Sequence, residues 1–127
     1  MDIHSETFGG EYPFKPNYIE VNGARLHYVD EAPAGRPNAE TFVLLHGNPT
    51  WSFYYRRIIL ALRTTHRCIA PDHVGMGLSD KPSDAKYRYT LRQRIDDLET
   101  LLESFKLTQP FTLIVHDWGG MIGMGYA

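Results

Sequence analysis

Apolar and polar positions along the chain switch between two periods, and the switches mark out its elements. Residues 18–31 alternate in places and are interrupted by Asn22-Gly23, a dipeptide that tolerates the positive φ angles of a tight turn, so a β-hairpin with strands at 18–21 and 25–31 is predicted. Turn-forming residues fill 32–39, and the almost unbroken apolar run Thr41–Leu45 then has strand length. Segment 52–63 carries apolar residues at 54, 55, 58, 59 and 62, near helical spacing, and Arg67–Pro71 reads as the next strand. A loop with Asp72, Gly75, Gly77, Asp80 and Pro82 leads to Thr90, where a threonine followed three residues later by Gln93 suits a capping box. The helix it opens places Leu91, Ile95, Leu98, Leu101, Leu102 and Phe105 along one face, with Arg92, Asp96, Asp97, Glu99 and Glu103 expected on the others. Phe111–Val115 is a further strand expected to be apolar on both faces, and a helix starts at Trp118. No repeat, low-complexity tract or interdomain linker interrupts the pattern.

A hairpin followed by strand, helix, strand, helix, strand, helix predicts an α/β fold: a mostly parallel sheet of about five strands, with helices on both faces, in one domain spanning 1–127. Strands apolar on both sides require such double cover. In these sheets ligands bind beyond the carboxyl ends of the strands, which singles out segments 46–49, 72–82 and 116–120.

Composition narrows the partners. With 43% hydrophobic and 22% charged residues and a formal charge of −2, the chain has neither the basic footprint of a nucleic-acid binder nor an acidic tail. No apolar run approaches the ~20 residues of a membrane span. The start, Met1-Asp2-Ile3-His4-Ser5-Glu6, lacks the positive charge and apolar run of a secretory signal, so a cytoplasmic location is expected. The single cysteine, Cys68, reads as a buried strand thiol.

The candidate chemistry sits after the last strand. Asp117 follows a five-residue apolar run and precedes Gly119 and Gly120, the small neighbours that a sharp strand-to-helix turn bearing a nucleophile requires. Such a turn commonly has Gly two residues before the nucleophile, where this chain has Val115. Taken alone, Asp117 also reads as an N-cap of the helix behind it. A carboxylate of ordinary pKa near ~3.9 is ionised at neutral pH and can attack an alkyl carbon without a base to activate it. Clearing the resulting ester with water needs a general base and an oxyanion hole. In this kind of turn one donor is the N–H after the nucleophile, here Trp118, and another comes from the loop after an earlier strand, here Asn48. The Trp118 indole and the Asn48 amide are further donors for a departing anion, although core packing and a turn before Pro49 also explain these two residues.

Three segments then carry a resemblance: His46-Gly47-Asn48-Pro49-Thr50-Trp51-Ser52, Pro71-Asp72-His73-Val74-Gly75-Met76-Gly77-Leu78-Ser79-Asp80-Lys81-Pro82, and Val115-His116-Asp117-Trp118-Gly119-Gly120. In this order they resemble the haloalkane dehalogenases, a family of α/β-hydrolases, along nearly the whole chain from about Tyr12. The resemblance implies that Asp117 displaces halide through a covalent alkyl-enzyme ester while Asn48 and Trp118 hold the leaving anion, with no cofactor and no metal. The wording from Val74 to Pro82, the helix after Tyr89, and Gly119-Gly120-Met121-Ile122-Gly123 are similar to a third subgroup. That subgroup includes β-lactone decarboxylases of bacterial olefin synthesis, which open a cis-3,4-dialkyl-oxetan-2-one and release CO2 and an alkene. The expected substrate is therefore a small apolar alkyl halide or a β-lactone, and other olefin-pathway enzymes are expected partners in the second case. Epoxide hydrolases share the His-Asp-Trp-Gly-Gly turn but usually carry an aromatic residue at the position of Asn48.

The resemblance also sets an expectation of incompleteness. The family's catalytic histidine, the acid orienting it, the cap and the remaining strands lie after the nucleophile helix, so the chain reads as an N-terminal fragment, alone unable to turn over and able at most to trap an alkyl ester; the alternative is a truncated fold with no catalytic role. His46 and His116 are expected to make structural hydrogen bonds, and the glycines of 119–125, which lack the spacing of a dinucleotide loop, to serve close helix-to-strand packing.

Overall fold

The turn at Asn22-Gly23 takes φ values of 47° and 80°, the left-handed region in which Asn and Gly are tolerated best. It joins β1 (Asn17–Val21) to β2 (Ala24–Glu31) in register from Asn17 opposite Tyr28 to Val21 opposite Ala24. The structure, a computed structural model, describes residues 6–127; residues 1–5, which begin the segment read as lacking a secretory signal, lie outside the described part. Three more strands follow, β3 (Thr41–Leu45), β4 (Arg67–Pro71) and β5 (Phe111–Val115), and the sheet runs β1-β2-β4-β3-β5. The pairings β4-β3 and β3-β5 are parallel, while the hairpin and its junction with β4 are antiparallel. The carboxyl ends of β3, β4 and β5 therefore open at the same rim.

Alternation along the central strands divides the core into two layers. Val43, Leu45 and Ile69 face one side with Leu98, Leu101, Leu102 and Ile122, whereas Leu44, Cys68 and Ala70 face the other with Tyr12, Phe14, Tyr55 and Ile59. Helices α2 (Leu91–Phe105) and α3 (Trp118–Tyr126) cover the first face and α1 (Arg56–Leu62) covers the second, the two-sided arrangement predicted. Cys68 is a buried, free thiol, its pKa raised to about 11 by burial.

Four local expectations need correction. The helix expected from Ser52 opens with a 3-10 turn, Ser52–Tyr55, because the Ser52 N–H is drawn to the buried Asp72 carboxylate at 2.7 Å and Trp51 offers no side-chain cap. Only half of the capping box forms: Thr90 Oγ1 accepts from the Gln93 N–H, but the Gln93 side chain turns to Asp97. Asp97 is not on the solvent face. It is buried, receiving bonds from the Tyr87 hydroxyl, Asn22 Nδ2 and Gln93 Nε2, which ties the hairpin turn to α2. Finally, β5 is an edge strand with Thr112 and Val115 exposed, so it is not apolar-covered on both faces here.

Candidate active site

Asp117 has φ 55° and ψ −125°, a left-handed backbone that an aspartate adopts only when the surroundings impose it. The imposition comes from packing. Gly119 lies so close to β3 that a Cβ there would sit 2.1 Å from the Leu45 carbonyl oxygen, and Gly123 abuts Val115 and Leu45. Helix α3 is thus pressed onto the sheet immediately after β5, and the chain can turn from one into the other only through a sharp bend. Gly125 packs against Ile95 of α2, a helix-to-helix contact, while Gly120 has ordinary space around it. The close-packing expectation holds for Gly119 and Gly123 on the strands and is corrected for Gly120 and Gly125.

The same bend settles what the Asp117 side chain is doing. The first free N–H groups of α3 are satisfied by backbone, Gly119 by His116 O and Gly120 by Asp117 O, both at 2.9 Å, and no side-chain capping bond forms. The carboxylate instead reaches across to the loop after β3. There Oδ2 accepts from the Asn48 N–H at 3.1 Å, and Gly47 is so near that any Cβ would meet the Asp117 Cβ at 2.6 Å. The N–H groups of Asn48 and then Trp118 hold the Asp117 carboxyl below the usual carboxylate range. The structure thus brings together all three residues singled out from sequence.

What fixes Asn48 was not foreseen. His46 and His73 form a buried pair: the His73 N–H donates to His46 Nε2 at 3.0 Å, and His73 Nε2 donates to the His46 carbonyl at 3.1 Å. Because Nε2 accepts, His46 carries its proton on Nδ1 and donates it to Gly47 O at 2.7 Å. Burial lowers both imidazole pKa values, His73 well below the ordinary value, so both are neutral. The Asp72 carboxylate accepts from the N–H of Ser52, four residues past Asn48, and from Leu78 N and His27 Nδ1. Burial raises its pKa, but the His27 hydrogen bond and charge together with those N–H groups outweigh it and leave the pKa lowered. His46 makes the structural hydrogen bonds expected of it; the His116 ring instead stacks on Tyr54 at 4.9 Å. None of the described histidines is hydrogen-bonded to Asp117.

A cavity of about 170 Å3 adjoins the site, lined by Asn48, Trp118, Met76, Tyr89, Leu91 and Arg94 among others. Trp118 is 43% exposed and lines this space. A larger cavity of about 660 Å3 lies near Arg36, Thr41, Arg67 and Lys106, at the amino ends of the parallel strands, remote from the rim where this sheet type binds ligands. Gly47, His73, Tyr89 and Arg94 were not singled out as site residues from sequence; for Gly47 and His73 the one available signal was their placement in the segments that end at that rim, and for Tyr89 and Arg94 there was none.

Residues 40–127 match the family model described as alpha/beta hydrolase fold. The chain belongs to the α/β-hydrolase fold family. Among its relatives, a cis-3-alkyl-4-alkyloxetan-2-one decarboxylase of Shewanella oneidensis is 57% identical over 91% of the chain and 35% of its own length. A haloalkane dehalogenase of Mycobacterium bovis is 41% identical over 91% of the chain and 38% of its own. In structure, the chain is similar to a haloalkane dehalogenase from Paraglaciecola agarilytica, with TM-score 0.78 and 37% identity over 90% of this chain and 38% of that one. It is also similar to an epoxide hydrolase from Vigna radiata, with TM-score 0.77 and 29% identity over 89% and 33%. The chain spans little more than a third of the length of these relatives. Among the described residues, no helix is long and apolar enough to cross a membrane.

Proposed function

We propose that the protein to which this chain belongs acts by nucleophilic displacement in the manner of a haloalkane dehalogenase. One Asp117 carboxylate oxygen attacks an alkyl carbon, the carbon–halogen bond breaks with its electron pair on the halide, and Asn48 and Trp118 hold the departing anion. The observation that supports this most is the carboxylate itself: held ionised by backbone N–H groups, freed from helix capping and presented on a strained turn at the ligand rim. The Asn48 N–H already on Oδ2 stays in place as that oxygen becomes the ester carbonyl, so the same donor serves the oxyanion when water cleaves the ester.

A second reading is favoured by identity, 57% to the oxetanone decarboxylase against 41% to the dehalogenase. Here Asp117 attacks C4 of a cis-3,4-dialkyl-oxetan-2-one and the C4–O bond opens, leaving its electron pair on the released carboxylate. Loss of CO2 then breaks the C3–carboxyl bond, whose pair forms the alkene and expels Asp117 as carboxylate, so the atoms balance without water. Other enzymes of such an olefin pathway are the partners this reading suggests, and the free, buried Cys68 suits a reducing cytoplasm.

The test is Asp117→Asn in the complete gene product, assayed with 1,2-dibromoethane and with a cis-β-lactone. Activity on at least one substrate should fall on the order of 10⁶-fold, as when a nucleophile is removed. Solvent labelled with 18O separates the readings, since only the dehalogenation route brings water oxygen into product. Unchanged turnover in the Asn variant would refute the assignment of Asp117.

A further inference from the structure

Arg94 is the one half-buried arginine among the described residues that lacks a carboxylate partner. Arg25, Arg56, Arg63, Arg67 and Arg92 each pair with an acid, and the unpaired Arg36, Arg57 and Arg88 are exposed. A guanidinium partly withdrawn from water without a counter-ion is costly unless an anion arrives to meet it. Arg94 is also well held. It donates through Nη1 to the Val74 carbonyl at 2.9 Å and lies over the Tyr89 ring at 5.7 Å from the centroid, which leaves most of its five N–H donors uncommitted. Its charge is close enough to the buried pair beneath the site to help keep His46 and His73 neutral.

The cavity places this cation on the same wall system as the leaving-anion donors. Asn48, Trp118 and Arg94 line one space of about 170 Å3, together with the apolar side chains of Met76 and Leu91. That is less than the ~300 Å3 of a small complete ligand pocket, so the space fits a group of a few atoms, not a whole substrate. A halide needs only the donors at Asn48 and Trp118. A carboxylate has two oxygens, and a guanidinium meets them in a planar, bidentate fork.

We propose that the cavity between Arg94, Asn48 and Trp118 is a carboxylate subsite, with Arg94 receiving the carboxylate released when a β-lactone ring opens. This rests on the lactone reading for its substrate, but the anion site itself is independent of turnover. Arg94 is then a specificity-determining residue, favouring a carboxylate leaving group over a halide. Because the ring opening is where that charge develops, the effect falls on kcat/KM.

The experiment uses the complete gene product as wild type, Arg94→Met and Arg94→Lys. The first readout is calorimetric binding of hexanoate: the wild type should bind it, and Arg94→Met should bind about 10- to 100-fold more weakly, the range for a lost charge-assisted contact. The second is the ratio of kcat/KM for a cis-β-lactone to that for 1,2-dibromoethane, which should drop by a similar factor in Arg94→Met and partly recover in Arg94→Lys. A purely structural role at Val74 would lower both activities together and leave the ratio unmoved, and that result overturns the proposal. So does a wild type that fails to bind hexanoate, or equal binding by Arg94→Met. Hexanoate binding that depends on Arg94, in an enzyme that leaves the lactone untouched, upholds the subsite and refutes the lactone reading instead.

Discussion

Gly119 and Gly120 are adjacent on the first turn of α3, yet the packing around them predicts opposite responses to the same methyl group. A Cβ on Gly119 would lie 2.1 Å from Leu45 O, 2.6 Å from Leu45 C and 2.7 Å from His46 O, all backbone atoms of the sheet and its rim. Ordinary contact begins at 3.4 Å, so α3 would have to recede by more than 1 Å, loosening Ile122 and Gly123 from β3 and β5. Overpacking of this kind costs about 1–3 kcal/mol, and a rigid backbone partner puts it at the upper end. The alanine regains about 1 kcal/mol of helix propensity, so Gly119→Ala should lose about 2 kcal/mol. On Gly120 the nearest atom is Val115 Cγ2 at 3.8 Å, so Gly120→Ala keeps its propensity gain and should be more stable by up to about 1 kcal/mol. Urea unfolding followed by tryptophan fluorescence reads the difference: about 3 kcal/mol between the variants separates their midpoints by about 1–3 M at the usual slopes. Equal midpoints would refute the claim that close backbone approach, and not helix propensity, dictates Gly119. The same recession moves the Trp118 N–H away from Asp117, and a displacement near 1 Å is enough for a loss on the order of 10²-fold in turnover.

Other consequences can be checked alongside. His46 and His73 are held neutral by burial, whereas unfolded imidazoles titrate near ~6.5; stability is therefore present above that pH and falls below it, by up to about 1.4 kcal/mol per pH unit for each histidine. His73→Asn should remove one such share of the slope between pH 6.5 and 5 in urea midpoints, and an unchanged slope would count against the assignment. Asp97→Ala strips the acceptor from Tyr87, Asn22 and Gln93 at once and should cost about 2–3 kcal/mol, with hydrogen exchange rising at the Asn22-Gly23 turn. With its carboxyl held below the usual carboxylate range, Asp117 should form the alkyl ester at a constant single-turnover rate from neutral pH into the acid range, losing rate only where protonation begins, below the pH at which an ordinary carboxylate would. A decline centred near pH 6 would show that another group controls the step.

How much of this was legible beforehand follows from distance along the chain. The hairpin, the three parallel strands and the α2 face are written in local periods, and each appears within a residue or two of its expected bounds. That Asp117, Asn48 and Trp118 come together was legible because a sharp strand-to-helix turn puts two of them in one short run, Leu113 to Gly120, and the loop after β3 puts the third in another, His46 to Pro49. Asp97 was misplaced because helical periodicity sees only its own helix, while its partner Asn22 lies 75 residues away. The His46–His73 pair, 27 residues apart, and Asp72 with His27, 45 apart, are equally invisible to a window of one helix or strand. Charges and histidines that a local pattern assigns to a polar surface become core members only when the sheet brings distant strands side by side.

Those distant contacts do more than fill the core, because they determine where a donor points. Asp72 and His73 are consecutive residues at the end of β4, and between them they grip the loop after β3 at two places: His73 holds His46, and Asp72 holds the N–H of Ser52. Asn48 lies between these two anchors, two residues from one and four from the other, and its N–H meets a carboxylate carried on β5. Donor and carboxylate thus follow two neighbouring strands of one sheet, β3 and β5, and the donor's loop is fixed by residues that follow a third, β4, which pairs with β3. Under the proposed displacement, a donor held this way needs no reorganisation when charge shifts on Asp117, which is what makes preorganised dipoles effective. It follows that Asp72 and His73, whose hydrogen bonds go to the loop and not to Asp117, should affect the rate through the position of the Asn48 N–H, whichever anion leaves.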